Sequence, residues 1–182
     1  MKKILFASAA SVAFLAATPA VAQDNTAVSG PRVEALVGYD RVKFDGEKDG
    51  GALFGIGAGY DFAVGNGVSL GADVEATEST QKEGDEDIAE VKAGRDLYAG
   101  GRVTFAVSPQ ANLYIKGGYT NARFKATDGE DTFAENVDGF RLGAGGQYGI
   151  GGKAYVGGEY RYSNYEAGLT RHQVALTVGT RF

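Results

Sequence analysis

Residue types that could carry out chemistry are scarce in this chain of 182 residues, which contains one His and no Cys. The only imidazole base is His172, and the nearest serine is Ser163, across the last predicted hairpin. A serine nucleophile needs its general base within hydrogen-bonding distance. Because successive side chains of a strand point to opposite faces, Ser163 is predicted to point inward and His172 outward. The two side chains should therefore not meet, and the chain is predicted not to be an enzyme. Without Cys, a thiolate nucleophile and a cysteine-ligated metal are excluded.

No cofactor or metal is predicted either. One acidic run invites a calcium hypothesis; its members are Glu83, Asp85, Glu86, Asp87 and Glu90. This run lacks the fixed spacing of oxygen ligands found in calcium loops, and a run of charges is usually a solvated surface. Tyr165 alone is a weak signal for haem. The net charge of −5 argues against nucleic acid as a partner.

The N-terminal residues 1–22 have the organisation of a secretory signal peptide. Lys2 and Lys3 precede an apolar run over 4–17, and an A-x-A cleavage box follows at 20–22. The apolar run is shorter than the ~20 residues that a membrane-spanning helix needs. We predict cleavage after Ala22 and a single exported domain over residues 23–182.

From residue 32 onward, apolar residues alternate with polar or small ones. A period of two indicates β-strands, because successive side chains of a strand point to opposite faces. The predicted strands are 32–42, 52–63, 67–77, 95–107, 112–124, 137–149, 153–163 and 172–182. Eight strands with one apolar and one polar face predict an antiparallel β-barrel with two different walls.

Three features decide which wall faces outward. The strand face that carries the polar residues also contains many glycines. A solvated surface does not need glycines, whereas a crowded lumen needs small residues to make room for large ones. Long predicted connections (43–51, 78–94, 125–136, 164–171) alternate with short ones (64–66, 108–111, 150–152), and aromatic residues fall near both ends of the strands. These features favour an eight-stranded up-and-down transmembrane barrel with periplasmic termini over a soluble lipocalin-like barrel.

The polar parity also carries the charged residues predicted to fill the lumen. They are Glu34, Asp61, Asp73, Glu75, Asp96, Arg102, Lys116, Arg141, Glu159, Arg161 and Arg181. Because an isolated buried charge costs several kcal/mol, these groups must pair. We expect a closed, salt-bridged lumen, with a narrow channel for ions or small solutes as the alternative.

A second set of cations lies on the lipid-facing parity at the tops of the predicted strands. Its members are Arg41, Lys43, Arg95, Arg123 and Lys125. Cations at this height could pair with the phosphates of lipopolysaccharide, or simply cap exposed strand ends.

The C-terminal run 174–182 resembles the terminal signal of bacterial outer-membrane barrels, with apolar residues alternating up to a final aromatic. The signal residues are Val174, Leu176, Val178 and Phe182. Residues 159–163 followed by 172–174 look like the last hairpin of small alphaproteobacterial surface barrels, relatives of the OmpA-type transmembrane domain that include porin-family and haemin-binding surface proteins.

This resemblance implies a Gram-negative outer-membrane location. The implied partners are outer-membrane lipid and lipopolysaccharide, the barrel-insertion machinery and periplasmic chaperones. It implies no shared catalytic set. We therefore expect a monomeric structural barrel that contributes to envelope integrity or to adhesion through its acidic loops. A lipid A-modifying enzyme is the least favoured alternative.

Overall fold

The computed structural model describes residues 27–44, 47–80, 82–83, 90–128 and 131–182. Side chains at several strand ends, over 43–44, 47–49, 82–83, 90–93, 124–128 and 131–135, and that of residue 167 lie outside this description. The predicted signal peptide and the central part of the acidic run also fall outside the described residues.

The described chain is almost entirely β-strand. The strands are β1 Gly30–Phe44, β2 Glu47–Gly65, β3 Val68–Ser79, β4 Lys82–Glu83, β5 Glu90–Ala106, β6 Ala111–Asp128, β7 Asp131–Gly151, β8 Ala154–Tyr165 and β9 Thr170–Arg181. A single 3₁₀ turn, Glu166–Gly168, joins the last two strands. No helix among the described residues is long and apolar enough to cross a membrane.

Eight strands form a closed antiparallel barrel, which confirms the predicted fold class. Neighbours in sequence pair around the wall, β3 pairs with β5, and β1 pairs with β9 to close the ring. The short strand β4 is not part of this ring; it pairs only with the start of β5, where Lys82 lies opposite Lys92. Full closure leaves no long strand with an unpaired edge.

The strands extend further than predicted at the end of the barrel opposite the termini. Two predicted long connections, 43–51 and 125–136, shrink to 45–46 and 129–130, because β1–β2 and β6–β7 continue as paired ribbons. The strict alternation of long and short connections was therefore wrong. Towards these ribbons the pattern that marks the barrel strands is lost, because charged residues such as Arg41 and Arg123 occupy the outer-wall positions that are apolar elsewhere. At the other end, Asn66 and Gly67 form a tight turn with φ values of 51° and 74°.

The outer wall of the barrel is a continuous apolar surface. Its aliphatic members include Val33, Val37, Ile56, Leu70, Val74, Leu113, Ile115, Leu142, Leu176 and Val178, all exposed. Exposed aromatic rings lie towards both ends, among them Tyr39, Phe54, Tyr119, Phe140 and Tyr160 at one end and Tyr60, Phe62, Phe105, Tyr148 and Phe182 at the other. An apolar surface of this extent marks contact with a membrane rather than with water.

The outward orientation of the apolar wall predicts a cost that depends on depth. Leu176 lies in the middle of β9 and is 66% exposed, so Leu176→Arg should lower the free energy of unfolding in phospholipid vesicles by about 2–4 kcal/mol. Val107 has the same orientation but follows the end of β5, so Val107→Arg should cost about 0–1 kcal/mol. Urea titration of vesicle-folded protein measures both. Equal costs, or a protein that folds in water without any amphiphile, would contradict the assignment.

Candidate functional site

The structure places all eleven predicted lumen residues on the inner wall. Ten of them are buried, and the side chain of Arg181, near the end that carries the termini, is 16% exposed. They reach the lumen because each lies on the parity opposite to the apolar wall. The inner charges form two groups along the barrel axis.

The first group, which we call the lower cluster, lies near the termini and centres on Arg32. Arg32 Nη1 lies 2.7 Å from Asp61 Oδ1, and Arg32 also contacts Glu34 at 3.3 Å and Asp73. Further ion pairs join Arg102 to Asp73 at 2.9 Å and Arg181 to Asp61 at 3.0 Å. Three cations and three carboxylates thus neutralise each other.

Neutral donors complete the lower cluster by hydrogen bonding to its central carboxylate. The Tyr155 hydroxyl donates to Glu34 Oε1 at 2.9 Å, and Gln147 Nε2 donates to the same oxygen at 3.1 Å. A buried carboxylate with several donors is stabilised in its charged form.

The second group, the upper cluster, lies beyond Tyr98 and Tyr114. Lys116 Nζ bridges Glu75 at 2.5 Å and Glu159 at 2.8 Å. Arg161 contacts the same two carboxylates, and its Nη2 lies 3.2 Å from Glu75 Oε1. One carboxylate pair is therefore shared by two cations, which ties β3, β6 and β8 together across the lumen.

The upper cluster continues towards the ribbons through Asp96. This carboxylate pairs with Arg141 and, at 3.0 Å, with Arg171 Nη1, and it accepts hydrogen bonds from Thr120 at 2.6 Å and Tyr165 at 2.8 Å. All five of these residues are buried. Arg171 Nε also donates to both carboxylate oxygens of Asp40 at 2.8 Å.

Arg32, Asp40 and Arg171 belong to this network but were absent from the predicted set. Arg32 and Arg171 lie at or beyond the predicted strand ends, and Asp40 has the inner parity but was not included. The predicted set contained six acids and five cations, whereas the described lumen contains seven of each. Since a dry lumen cannot hold a net charge cheaply, that imbalance was a usable signal of missing residues.

Aromatic side chains fill the lumen between the charges. The guanidinium of Arg102 lies 4.1 Å from the ring centre of Tyr114, whose hydroxyl donates to Glu159 at 2.6 Å. Tyr114 fits because Gly145 faces it: a Cβ at that position would lie 2.6 Å from the Tyr114 hydroxyl oxygen. Cation–π contacts of this kind are strongest where water is excluded.

The described lumen leaves little space for water. The gap bordered by Arg32, Glu34, Asp73, Glu75 and Arg102 is too small to hold a water molecule. A larger cavity of about 510 Å³ lies at the end that carries the termini. It is lined by the turns around Gln110 and Lys153 together with Arg181. The barrel thus has a vestibule at one end and a packed interior above it.

The candidate catalytic pair does not meet. Ser163 is fully buried in the lumen, where its hydroxyl accepts a hydrogen bond from Arg141 Nε at 2.9 Å. His172 lies on the outer wall, where its Nδ1 is hydrogen-bonded to the Tyr160 hydroxyl at 2.6 Å. The barrel wall therefore separates the hydroxyl from the imidazole, and His172 does not activate Ser163.

The predicted rim cations and the C-terminal signal residues can be placed only in part. Arg41 and Arg95 are exposed on the outer wall, and Arg123 is half-buried there. The side chains of Lys43 and Lys125 lie outside the described residues. The four C-terminal signal residues, Val174, Leu176, Val178 and Phe182, are exposed on the same apolar wall.

Comparison with known proteins agrees with this architecture. The family model described as outer membrane protein beta-barrel domain matches residues 8–182 of the chain. A search of curated proteins found no match.

Several solved structures are similar to this one. The chain matches Ail, the attachment invasion locus protein of Yersinia pestis, with 18% identity and a TM-score of 0.65, over 85% of this chain and 100% of Ail. It matches Neisserial surface protein A with 15% identity and a TM-score of 0.67, over 85% and 98%. The N-terminal barrel of Pseudomonas aeruginosa OprF matches with 13% identity and a TM-score of 0.55, over 85% and 98%. At these identities the likeness shows the fold.

The network predicts that matched Asp→Asn changes on the two walls differ in cost. Asp96→Asn leaves the buried guanidinium groups of Arg141 and Arg171 short of charge, so it should lower the free energy of unfolding by about 3–5 kcal/mol. Asp138 is an exposed carboxylate that accepts hydrogen bonds from Tyr119 and Asn121, so Asp138→Asn should leave the free energy of unfolding nearly unchanged. Urea unfolding in one detergent compares the two. Similar costs would show that the lumen charges are solvated.

Proposed function

Because this chain belongs to the outer membrane protein beta-barrel domain family, we propose that it is a monomeric, structural and surface-exposed barrel whose lumen does not conduct. The family and its structural neighbours imply an outer-membrane location. The single observation that carries the proposal is the electrically neutral, side-chain-filled lumen.

A conducting pore needs a continuous aqueous path, and eight strands enclose only enough room for side chains. Here that room is occupied by paired charges and by the rings of Tyr98 and Tyr114. Opening a path would require several ion pairs to break together. The vestibule beside Arg181 ends against this packed region and does not continue through the barrel. This supports a closed barrel rather than a channel.

The paired ribbons at the end opposite the termini suit a role at the cell surface. With periplasmic termini, the ribbons would face outward from the cell, and the sequence of the acidic run falls between strands β3 and β5, which meet at that end. Ail carries attachment and invasion in its name, and one of its structures holds a heparin analogue, sucrose octasulfate. The acidic run of this chain would repel a sulfated ligand, so adhesion through it would favour a basic partner.

Contact with lipopolysaccharide would add the contribution to envelope integrity. Arg41 and Arg95 project from the outer wall beyond its apolar band, at the height expected for lipid phosphates. The exposed C-terminal signal residues suit delivery by periplasmic chaperones and recognition by the barrel-insertion machinery before the wall meets lipid. Export would begin with cleavage after Ala22.

Single-channel recording in planar bilayers tests the closed lumen. The wild-type protein should show little or no steady current. Tyr114→Ala should raise the current measurably, because it removes the ring under Arg102 and opens the packed centre. Tyr119→Ala is the matched control on the same strand, since Tyr119 points to the outer wall, and it should behave like the wild type. A steady wild-type current as large as that of Tyr114→Ala would favour the narrow channel instead.

Replacing all five rim cations with Gln tests the contact with lipopolysaccharide. Each charge lost near a lipid phosphate should cost about 1 kcal/mol. The variant should therefore lose free energy of unfolding in lipopolysaccharide-containing bilayers but not in neutral detergent. Lys153→Gln, at the opposite end of the barrel, should change neither value. An equal loss of free energy of unfolding in both media would show that these cations only cap exposed strand ends.

A further inference from the structure

The only histidine of the chain lies in a row of outward-facing residues that crosses three neighbouring strands. His172 on β9 is paired directly with Tyr162 on β8 and with Arg41 on β1. Along the outer wall, the next residues towards the termini are the exposed Tyr39 and Val174. This row therefore lies at the edge of the apolar outer wall, at the end of the barrel opposite the termini.

The imidazole of His172 is held in place by its neighbours. Its Nδ1 is 2.6 Å from the Tyr160 hydroxyl oxygen, and its ring centre lies 5.2 Å from that of Tyr162 and 6.1 Å from that of Tyr160. Phe140 extends the stack, 6.4 Å from Tyr162. When the Tyr160 hydroxyl donates to Nδ1, the neutral ring carries its proton on Nε2, which is then free to donate to a ligand.

Arg41 is the direct partner of His172 in the β1–β9 register, and both side chains lie on the outer wall. Arg41 is exposed and forms no ion pair with any described acid. The next position across the sheet is Gly50 on β2, and the Tyr39 hydroxyl lies so close over it that a side chain there would collide. Among the described residues, the hydroxyl of Tyr39 lies over Gly50, the β2 partner of Arg41, and the hydroxyl of Tyr160 is hydrogen-bonded to His172.

We propose that Arg41, His172 and Tyr160 form a phosphate-binding site for lipopolysaccharide, which we call the rim site. An arginine fork and an imidazole N–H are both strong donors to phosphate oxygens. Tyrosine rings suit the boundary between hydrocarbon and head groups. Because the site lies at the edge of the apolar wall, a phosphate attached to acyl chains can reach it while those chains stay on the wall. This inference rests on the proposed orientation and lipopolysaccharide contact.

The other outward arginines lack this arrangement. Near Arg95 and Arg123, the Tyr119 hydroxyl and the Asn121 amide both donate to the carboxylate of Asp138, at 2.5 Å and 2.6 Å. That carboxylate would repel a phosphate and already occupies the neutral donors. These two arginines therefore lack both the imidazole and the neutral donors that accompany Arg41.

The experiment uses the fact that the chain has one histidine. Untagged protein with isotope-labelled His, folded in detergent micelles, gives ring signals that belong to His172 alone. Titration with lipopolysaccharide should shift these signals, and titration with dephosphorylated lipopolysaccharide should leave them unchanged. Arg41→Gln should weaken the apparent affinity by about tenfold or more, because it removes a charged donor, whereas Lys153→Gln, at the opposite end of the barrel, should leave it within about twofold.

Three outcomes would overturn the rim site. They are an absent shift, an equal shift with the dephosphorylated form, and an equal loss of affinity in Arg41→Gln and Lys153→Gln. A titration with inorganic phosphate completes the experiment. If the His172 signals saturate at the same concentration of inorganic phosphate as of lipopolysaccharide, the site binds free anions rather than a lipid. The single-channel recording is independent of this test. If the His172 signals do not shift and the protein shows no steady current, the rim site is wrong and the structural, closed barrel still holds.

Discussion

The structure depends on charge neutrality inside a space that has almost no water. Moving a charge out of water costs several kcal/mol unless partners surround it, and the narrow lumen of eight strands leaves no other way to satisfy its charges. Seven cations and seven carboxylates meet this constraint among the described residues. Each carboxylate contacts groups on other strands, as Asp96 does with Arg141 and Arg171, so the network fixes the strand register while it closes the lumen.

The two walls of the barrel have different roles. The outer wall provides the hydrophobic energy of insertion, and its residues need only be apolar, because lipid is fluid and makes no specific demand on shape. The inner wall provides specificity, because paired charges tolerate few alternatives. Small residues such as Gly145 make room for large partners such as Tyr114.

Much of this could be predicted from the sequence, because alternation with a period of two is a strong signal wherever one face is apolar. It predicted the eight strands and the eleven inner residues that the structure places in the lumen. It failed where the outer-wall positions stop being apolar, as they do at Arg41 and Arg123, and it missed Arg171 because this residue lay in a predicted connection. Tyr98 and Tyr114, which are also buried in the lumen, were not among the predicted lumen residues. Signal cleavage after Ala22 stays a prediction.

The central claim, a dry and fully paired lumen, can be tested on the arginine side chains directly. The chain has nine arginines, and the Nε–H groups of five of them, Arg32, Arg102, Arg141, Arg161 and Arg171, donate to lumen acceptors. Hydrogen exchange of the Nε–H signals, followed by NMR on the folded protein, should show these five strongly protected and those of the outward Arg41 and Arg95 exchanging rapidly. If all nine exchanged with water at the rate of the outward arginines, the lumen would be a wet channel and the account would be wrong.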